Sequence, residues 1–289
     1  MSFRIVVLAK QVPDTRNVGK DAMKEDGTVN RGVLPAIFNP DDLNALEMAL
    51  ETKSRIANAE LCIITMGPPR AASIIRESMY RGANNGYLLT DMKFAGSDTL
   101  ATSYALSKAV ELLKPDIIFC GVQAIDGDTA QVGPQIAEKL NLPQITYAEE
   151  LEAVDTNKIR IKRRLEHGVE TTETPLPALI TVHSSAKPCR SRNAKLLMKY
   201  KHARTNSELQ DETRDYTEMY NKRPELLIQE WNVETIHADA IHLGLNGSPT
   251  KVKKIESVVL TQKDSKTFSN SDADVEQLVV ELLESRVIG

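Results

Sequence analysis

Residues 120–134, CGVQAIDGDTAQVGP, close an apolar run (DIIFC, 116–120) and open at once onto an amphipathic pattern, so a buried strand passes into a helix through a loop of small and hydrogen-bonding residues. At such a turn the first helical amides lack partners inside the helix and carry the positive end of its dipole, which suits a phosphate. Gly121, Gly127 and Gly133 are placed to let the backbone bend and approach a ligand closely. Gln123, Asp126, Asp128, Thr129 and Gln131 add polar groups for a ribose or a base. The same composition also serves plain helix capping, so the loop alone does not establish binding.

Strands and helices alternate around this loop. Arg4 to Leu8 reads as a short buried strand, and the thirty residues after it, with Pro13, Asp14, Gly19, Gly27 and Gly32, read as a loop with a hairpin. A helix then starts with Asn39 as N-cap, Pro40 in the first position, and Asp41 and Asp42 at the positive end of the dipole; Leu43, Leu46 and Leu50 follow at helical spacing. Strand Leu61–Met66, a helix from Arg70 to Arg81, strand Tyr87–Leu89, a helix to Leu113 capped by Ser97 or Asp98, strand Asp116–Cys120, helix Ala130–Leu140 and strand Ile145–Tyr147 continue the pattern. This alternation predicts an α/β fold, a Rossmann-like parallel sheet flanked by helices. Ligands of such sheets sit beyond the carboxyl ends of the strands, so Ala9–Val12, Met66–Pro68, Thr90–Thr99 and Gly121–Thr129 should converge on one crevice.

Composition narrows the function. The chain has 289 residues, 41% of them hydrophobic, which is ample for a buried core. No apolar run approaches a membrane span and no signal-peptide pattern opens the sequence, so the expectation is a cytoplasmic protein with no membrane insertion. A net charge of -4 argues against general attraction to nucleic acid. Cys62, Cys120 and Cys189 form neither a disulfide framework nor a zinc pattern, and Cys62 and Cys120 lie in apolar runs as small buried hydrophobes. The histidines have no ligand spacing, so metal catalysis has no support.

After Ala148 the pattern shifts to a period of two, at Lys158–Leu165 and again at Ala178–Val182, which reads as antiparallel strands (148–183) appended to the parallel sheet. From Lys187 to Asn221 the chain is basic and poor in apolar residues, with Arg190, Arg192, Lys195, Lys199, Lys201, Arg204 and Arg214; it reads either as a solvated linker or as a docking arm. A last amphipathic helix, Asp274–Arg286, carries Val275, Leu278, Val279, Leu282 and Leu283 as a stripe that needs a partner surface in this chain or another. The expected division is therefore a nucleotide-binding domain at 1–186 and a docking loop with an extended C-terminal arm at 187–289.

Six segments, VVLAKQVPDT (6–15), FNPDDLNALEMAL (38–50), ITMGPP (64–69), FAGSDTLATSYAL (94–106), GVQAIDGDTAQVGPQIAEKLNLPQITY (121–147) and LGLNGSPTKV (243–252), together resemble the beta subunit of electron transfer flavoproteins. Their order and extent are far more specific than one glycine-rich loop. The resemblance implies a heterodimer with an alpha subunit that passes electrons between dehydrogenases and a downstream acceptor, with an arm wrapped around the partner. It also implies a nucleotide against Ala9, the helix start Asn39, Pro40, Asp41 and Asp42, Met66, and the loop Gln123, Ala124, Ile125, Asp126, Gly127, Asp128, Thr129, Ala130, Gln131, Val132, Gly133 and Pro134.

In ordinary members that nucleotide is AMP. The wording FAGSDTLATS and IDGDTAQVGP looks like the electron-bifurcating and nitrogen-fixation-associated group, whose similar beta site holds a second FAD that takes hydride from NADH and divides its electrons. Ser97, Thr99 and Thr102 would add hydroxyls beside the crevice, although a capped helix start explains them as well. FAD is favoured, with AMP as the alternative. The family's docking loop for an acyl-CoA or other dehydrogenase corresponds here to PCRSRNAKLLMK (188–199); Arg190 and either Ala194 or Leu196 are its candidate contacts, because the anchoring leucine has no fixed register. An ATP-using ligase on the same type of sheet would want glycine and serine after the first strand, where this chain has Ala9-Lys10-Gln11-Val12-Pro13-Asp14.

Overall fold

Apolar runs too short for helices become strands where both of their faces can be covered. The computed structural model describes residues 2–14, 35–210, 217–250, 266–285 and 287. β1 (Arg4–Leu8) is buried at all but its first position. β2 (Gln11–Pro13) and β3 (Ala36–Phe38) pair antiparallel as the expected hairpin; Gly19, Gly27 and Gly32 lie outside the described residues. α1 (Pro40–Arg55) buries Leu46 and Leu50, with Leu43 partly buried against the same cluster.

β4 (Glu60–Met66), α2 (Ala72–Arg81), β5 (Asn85–Leu89), α3 (Thr99–Leu113), β6 (Ile117–Gly121) and α4 (Val132–Lys139) follow. Two of these helices begin later than the sequence pattern indicates. Residues Pro69–Ala71 form a tighter 3-10 turn ahead of α2. α4 does not include Ala130, because Asp128 (φ 47°) and Ala130 (φ 51°) adopt left-handed backbone that a right-handed helix cannot contain. Asp98 caps α3, accepting from the amides of Leu100 and Ala101 at 3.0 Å each.

β7 (Gln144–Val154), β8 (Lys158–Leu165) and β9 (Gly168–Pro175) form the appended antiparallel meander. β10 (Ala178–Val182) corrects the reading of that segment as another appended strand. It is buried throughout and lies parallel between β6 and β7, in the middle of the sheet. A central parallel strand is covered on both faces, so ALITV is a continuous apolar run, and five residues are too few to distinguish that from alternation.

The basic segment from Lys187 also folds back. It supplies α5 (Ala194–Tyr200), β11 (Arg204–Thr205), α6 (Asn206–Gln210) and α7 (Thr217–Lys222), and β12 (Leu227–Trp231) follows; Arg214 lies outside the described residues. Tyr200, Ala203 and Thr205 are buried, so a few well-placed residues suffice to dock this stretch. The sheet order is β11-β12-β5-β4-β1-β6-β10-β7-β8-β9. Val7, Leu46, Ile75 and Phe119 belong to the core on the α1/α2 face, and Val6, Ala105, Ile118 and Ile136 to the core on the α3/α4 face. α8 (Asp272–Glu284) is capped by Ser271 and leaves Val275, Leu278, Val279 and Leu283 exposed. Arg286, expected to end it, lies outside the described residues. Among the described residues no helix is long and apolar enough to cross a membrane.

Candidate functional site

Parallel strands place all their C-terminal turns on one side of the sheet. There the exits of β1, β4, β5 and β6 meet around a cavity of about 850 Å³, as the four loop positions lead one to expect. Residues 122–131 bring the β6 chain to α4. Val122 extends the β6–β10 pairing through its amide to the Val182 carbonyl (3.0 Å), and the amides of Gly127 (3.1 Å) and Asp128 (2.9 Å) both donate to the Ala124 carbonyl, folding a tight turn. Pro134 has no N–H, so Gln131, Val132 and Gly133 supply the helix-start amides that lack an acceptor inside α4. All three line the cavity.

Asn39 occupies the N-cap position of α1 but does not cap it with its side chain. Its Nδ2 donates to the Gln123 carbonyl (2.8 Å) and its Oδ1 accepts from the Ile125 amide (3.2 Å), so it pins the loop. Lys10 Nζ reaches both oxygens of Asp126, at 2.8 and 2.9 Å, and ties the β1 exit to the same loop. Across the cavity mouth, Thr99 Oγ1 donates to Gln131 Oε1 (3.0 Å).

The three glycines of the loop divide by what they face. A Cβ at Gly121 would stand 2.6 Å from Asp41 Cβ, and one at Gly133 would stand 2.8 Å from Cys120 Sγ and 2.9 Å from Thr181 Cγ2. The absent Cβ of each makes room for the chain itself: Gly121 seats α1 on β6, and Gly133 seats α4 on the sheet. A Cβ at Gly127 would meet no atom within 4 Å, although the residue lines the cavity. Gly127 therefore leaves room for something other than this chain.

Of the other sequence candidates, Ala9, Asp42, Met66, Ser97, Thr99, Thr102, Gln123, Ala124, Asp128, Thr129 and Ala130 line the cavity. Pro40, Asp41, Ile125, Asp126 and Pro134 do not, and neither does Asn39. The cavity also takes in Lys10, Pro68, Met92 and Phe94, which lie within the segments expected to converge, and Pro69 and Ser207, which lie outside them. Most of these sit in loops whose convergence the strand pattern implies. Ser207 has no local signal; α6 brings it in from the far edge of the sheet.

The acidic side chains around the cavity mostly spend their charge on backbone amides. Asp91 accepts from Lys93 (2.9 Å) and Val233 (3.3 Å). Buried Asp42 accepts from the amides of Lys10 (2.8 Å) and Gly121 (2.9 Å), yet burial outweighs these bonds and pushes its carboxyl up to about 7. A carboxyl held partly neutral repels a phosphate less. Because the folded value lies above the unfolded one, the native state binds the extra proton between about pH 4 and pH 7, and the associated stability is lost as pH rises through about 7. Unfolding in urea should show the wild type losing a few kcal/mol relative to Asp42→Asn across that window. Parallel pH profiles of the two proteins would contradict this. Burial likewise pushes up the thiol of Cys120, which leaves it an inert part of the cavity floor.

The electron transfer flavoprotein domain family matches residues 26–204, more than half of the chain. The chain is 40% identical over 284 residues to the electron transfer flavoprotein subunit beta of Thermoanaerobacterium thermosaccharolyticum, covering 98% of this chain and 99% of that one. It is 40% identical to Protein FixA of Sinorhizobium fredii, covering 88% and 82% of the two chains. It is 40% identical to the caffeyl-CoA reductase-Etf complex subunit CarD of Acetobacterium woodii, covering 86% of each.

Proposed function

The chain belongs to the electron transfer flavoprotein family as a beta subunit, and on that premise we propose that it is the form whose beta subunit holds its own FAD, accepts reducing equivalents from NADH and divides them between two acceptors. Its general role is electron transfer. The observation that carries the finer reading is the extent of the cavity. At about 850 Å³ it lies near the top of the range of ~300–1,000 Å³ for small-molecule sites. Its lining includes the helix-start amides of α4, Met66, the prolines 68 and 69, Met92, Phe94 and Ser207. A mononucleotide would fill part of that volume; a dinucleotide with a ring system has use for all of it.

The residues present fit such a group. Amides of residues 131–133 would hold its phosphates, Gly127 would allow close backbone approach, and Met66, Pro68, Met92 and Phe94 would offer apolar contacts to a flat ring. Thr102 lines the same wall and can offer its hydroxyl to a polyol chain. A bound flavin would supply one- and two-electron transfer. The protein's part is to hold it, keep water from its faces and set the local charge.

Partners follow the same reasoning. Relatives carry names such as acryloyl-CoA reductase electron transfer subunit gamma and caffeyl-CoA reductase-Etf complex subunit, so an alpha subunit and a CoA-ester reductase or dehydrogenase are the proposed partners of this chain. Arg190 is engaged by Glu47 of its own chain, and Leu196 packs against the core. Ala194 is exposed at the start of α5, and Leu197 and Met198 stand outward beside it. Leu197 and Met198 are therefore the proposed apolar contacts for the dehydrogenase.

The copurified heterodimer is expected to release two FAD per pair and to bleach on anaerobic addition of NADH. One flavin with extractable AMP would overturn the FAD reading and leave the ordinary family role.

A further inference from the structure

The wall of the cavity formed by residues 94–98 is braced by a segment distant in sequence that never touches the cavity. The Gly244 amide donates to Ser97 Oγ (3.1 Å), and the Asp98 amide donates to Ser248 Oγ (2.8 Å). The Thr250 amide donates to Asp98 Oδ2 (3.0 Å). Ser248 is buried, and its own hydroxyl donates to the Gly244 carbonyl (2.6 Å), which closes the segment into a tight loop. Leu245 lies over Gly96, where a Cβ would stand 2.7 Å from its Cδ2. Gly244 holds φ 55°, and a Cβ there would stand 2.5 Å from the Lys93 carbonyl oxygen.

Apart from the Ser248–Gly244 bond, each of these contacts lands on residues 93–98, of which 94–98 line the cavity, whereas none of residues 243–250 does. Ser97 is bonded twice within the chain, donating to the Phe94 carbonyl (2.8 Å) and accepting from Gly244. Its hydroxyl is thus used to shape the wall. Asp98 divides its two oxygens: Oδ1 caps α3, and Oδ2 holds Thr250.

We propose that Ser248 and the Gly244–Thr250 loop are positioning residues for the nucleotide: bonded to Ser97 and Asp98 from outside the cavity, they fix the wall against which it is held without lining it themselves. This rests on the reading of the cavity as a nucleotide site. A wall held from outside sets the width of the cavity, so loosening it at Ser248, which does not line the cavity, should weaken binding with every lining side chain intact.

The test uses the copurified heterodimer, stripped of nucleotide, with AMP and FAD as separate probes in equilibrium dialysis. Ser248→Ala removes one brace. Asp98→Asn keeps Oδ1 for the helix cap but turns an N–H₂ toward the Thr250 amide, so it breaks the brace while leaving the cap. Each is expected to weaken the tighter-binding nucleotide about tenfold, the scale of one lost hydrogen bond. Thr52→Val removes a buried hydroxyl bonded to the Met48 carbonyl in α1, away from the cavity, and is expected to lower Tm without changing affinity. Affinities unchanged in both brace variants, or lowered as much by Thr52→Val, would overturn the proposal. Should Ser248→Ala fail to fold, Thr250→Pro, which deletes the amide bonded to Asp98 Oδ2 and lies outside the cavity lining, decides in its place. A folded wild-type heterodimer that binds neither probe would overturn the nucleotide reading itself, and this inference with it.

Discussion

Gly127→Trp should yield a heterodimer that folds and assembles but purifies with little or no nucleotide in this subunit, with affinity for added nucleotide reduced by about 100-fold. The argument is steric. Apart from its two chain neighbours, nothing lies within 4 Å of the Cβ position at Gly127, and the residue is exposed, so a side chain can begin there without displacing the protein. Its effect on stability should stay within about 0.5 kcal/mol, as for surface substitutions generally. What it does enter is the space along the cavity where the turn at 124–128 would approach the proposed ligand. Gly133→Ala is the contrasting case. One methyl there must displace Cys120 Sγ and Thr181 Cγ2, and overpacking of this kind costs roughly 1–3 kcal/mol. Urea unfolding separates the pair: Gly127→Trp loses ligand at nearly constant stability, and Gly133→Ala loses stability first. Retention of a full complement of nucleotide by Gly127→Trp would remove Gly127 from the site.

The glycines also show where reading the sequence stops. All three looked alike as residues that let backbone approach a ligand, and only packing distinguishes them. Gly121 and Gly133 are small because α1 and α4 lie against the sheet there, a fact that depends on residues 80 positions away for Gly121 and nearly 50 for Gly133. The loops that build the cavity were legible because a parallel sheet forces its C-terminal turns together whatever their wording. Asn39 was legible as a helix start by position, but its bonds to residues 123 and 125 are tertiary. The place of β10 was not legible, since a strand inserted between β6 and β7 leaves no local mark. Nor was Ser207, which reaches the cavity only because β12 pairs with β5 at the opposite edge of the ligand crevice. The segment after Lys187 carries no local sign of where it packs, for a related reason. Its described basic side chains other than Arg204 are exposed, as its composition suggests, but one of them pairs with a buried acid.

That acid is Glu47, and Arg190→Ala is expected to be the most damaging single change outside the core. Glu47 has a side chain only 2% exposed in the middle of α1. Arg190 meets it with Nε to Oε2 and Nη2 to Oε1, each at 2.9 Å, and with its own backbone amide to Oε2 at 2.9 Å. Burial alone would raise the Glu47 carboxyl, but the bonds from Arg190 win and hold it below the ordinary carboxylate range. Removing the guanidinium leaves a buried carboxylate with the backbone amide and, at 3.8 Å, Lys187. Breaking a fully buried pair costs about 3–5 kcal/mol; the half-exposed arginine lowers the expectation here to about 2 kcal/mol at neutral pH. The sign with pH follows. A depressed folded value stabilises the wild type above the ordinary carboxylate range and is lost as pH falls through that range and below it, so the gap between wild type and Arg190→Ala should narrow on acidification. If charge burial is the cause, Glu47→Gln in the Arg190→Ala background should recover part of the loss at neutral pH, because a neutral amide costs less to leave buried. No recovery would mean that Arg190 acts through packing of its stem. The pair helps to hold residues 187–193, together with Asn44 Nδ2 on the Lys187 carbonyl (3.1 Å), Arg81 on the Arg190 carbonyl and the Asn193 amide on the Tyr80 carbonyl (2.8 Å), directly before the exposed Leu197 and Met198. Arg190→Ala should therefore slow electron transfer with the proposed dehydrogenase partner as well, with the proposed nucleotide site unchanged.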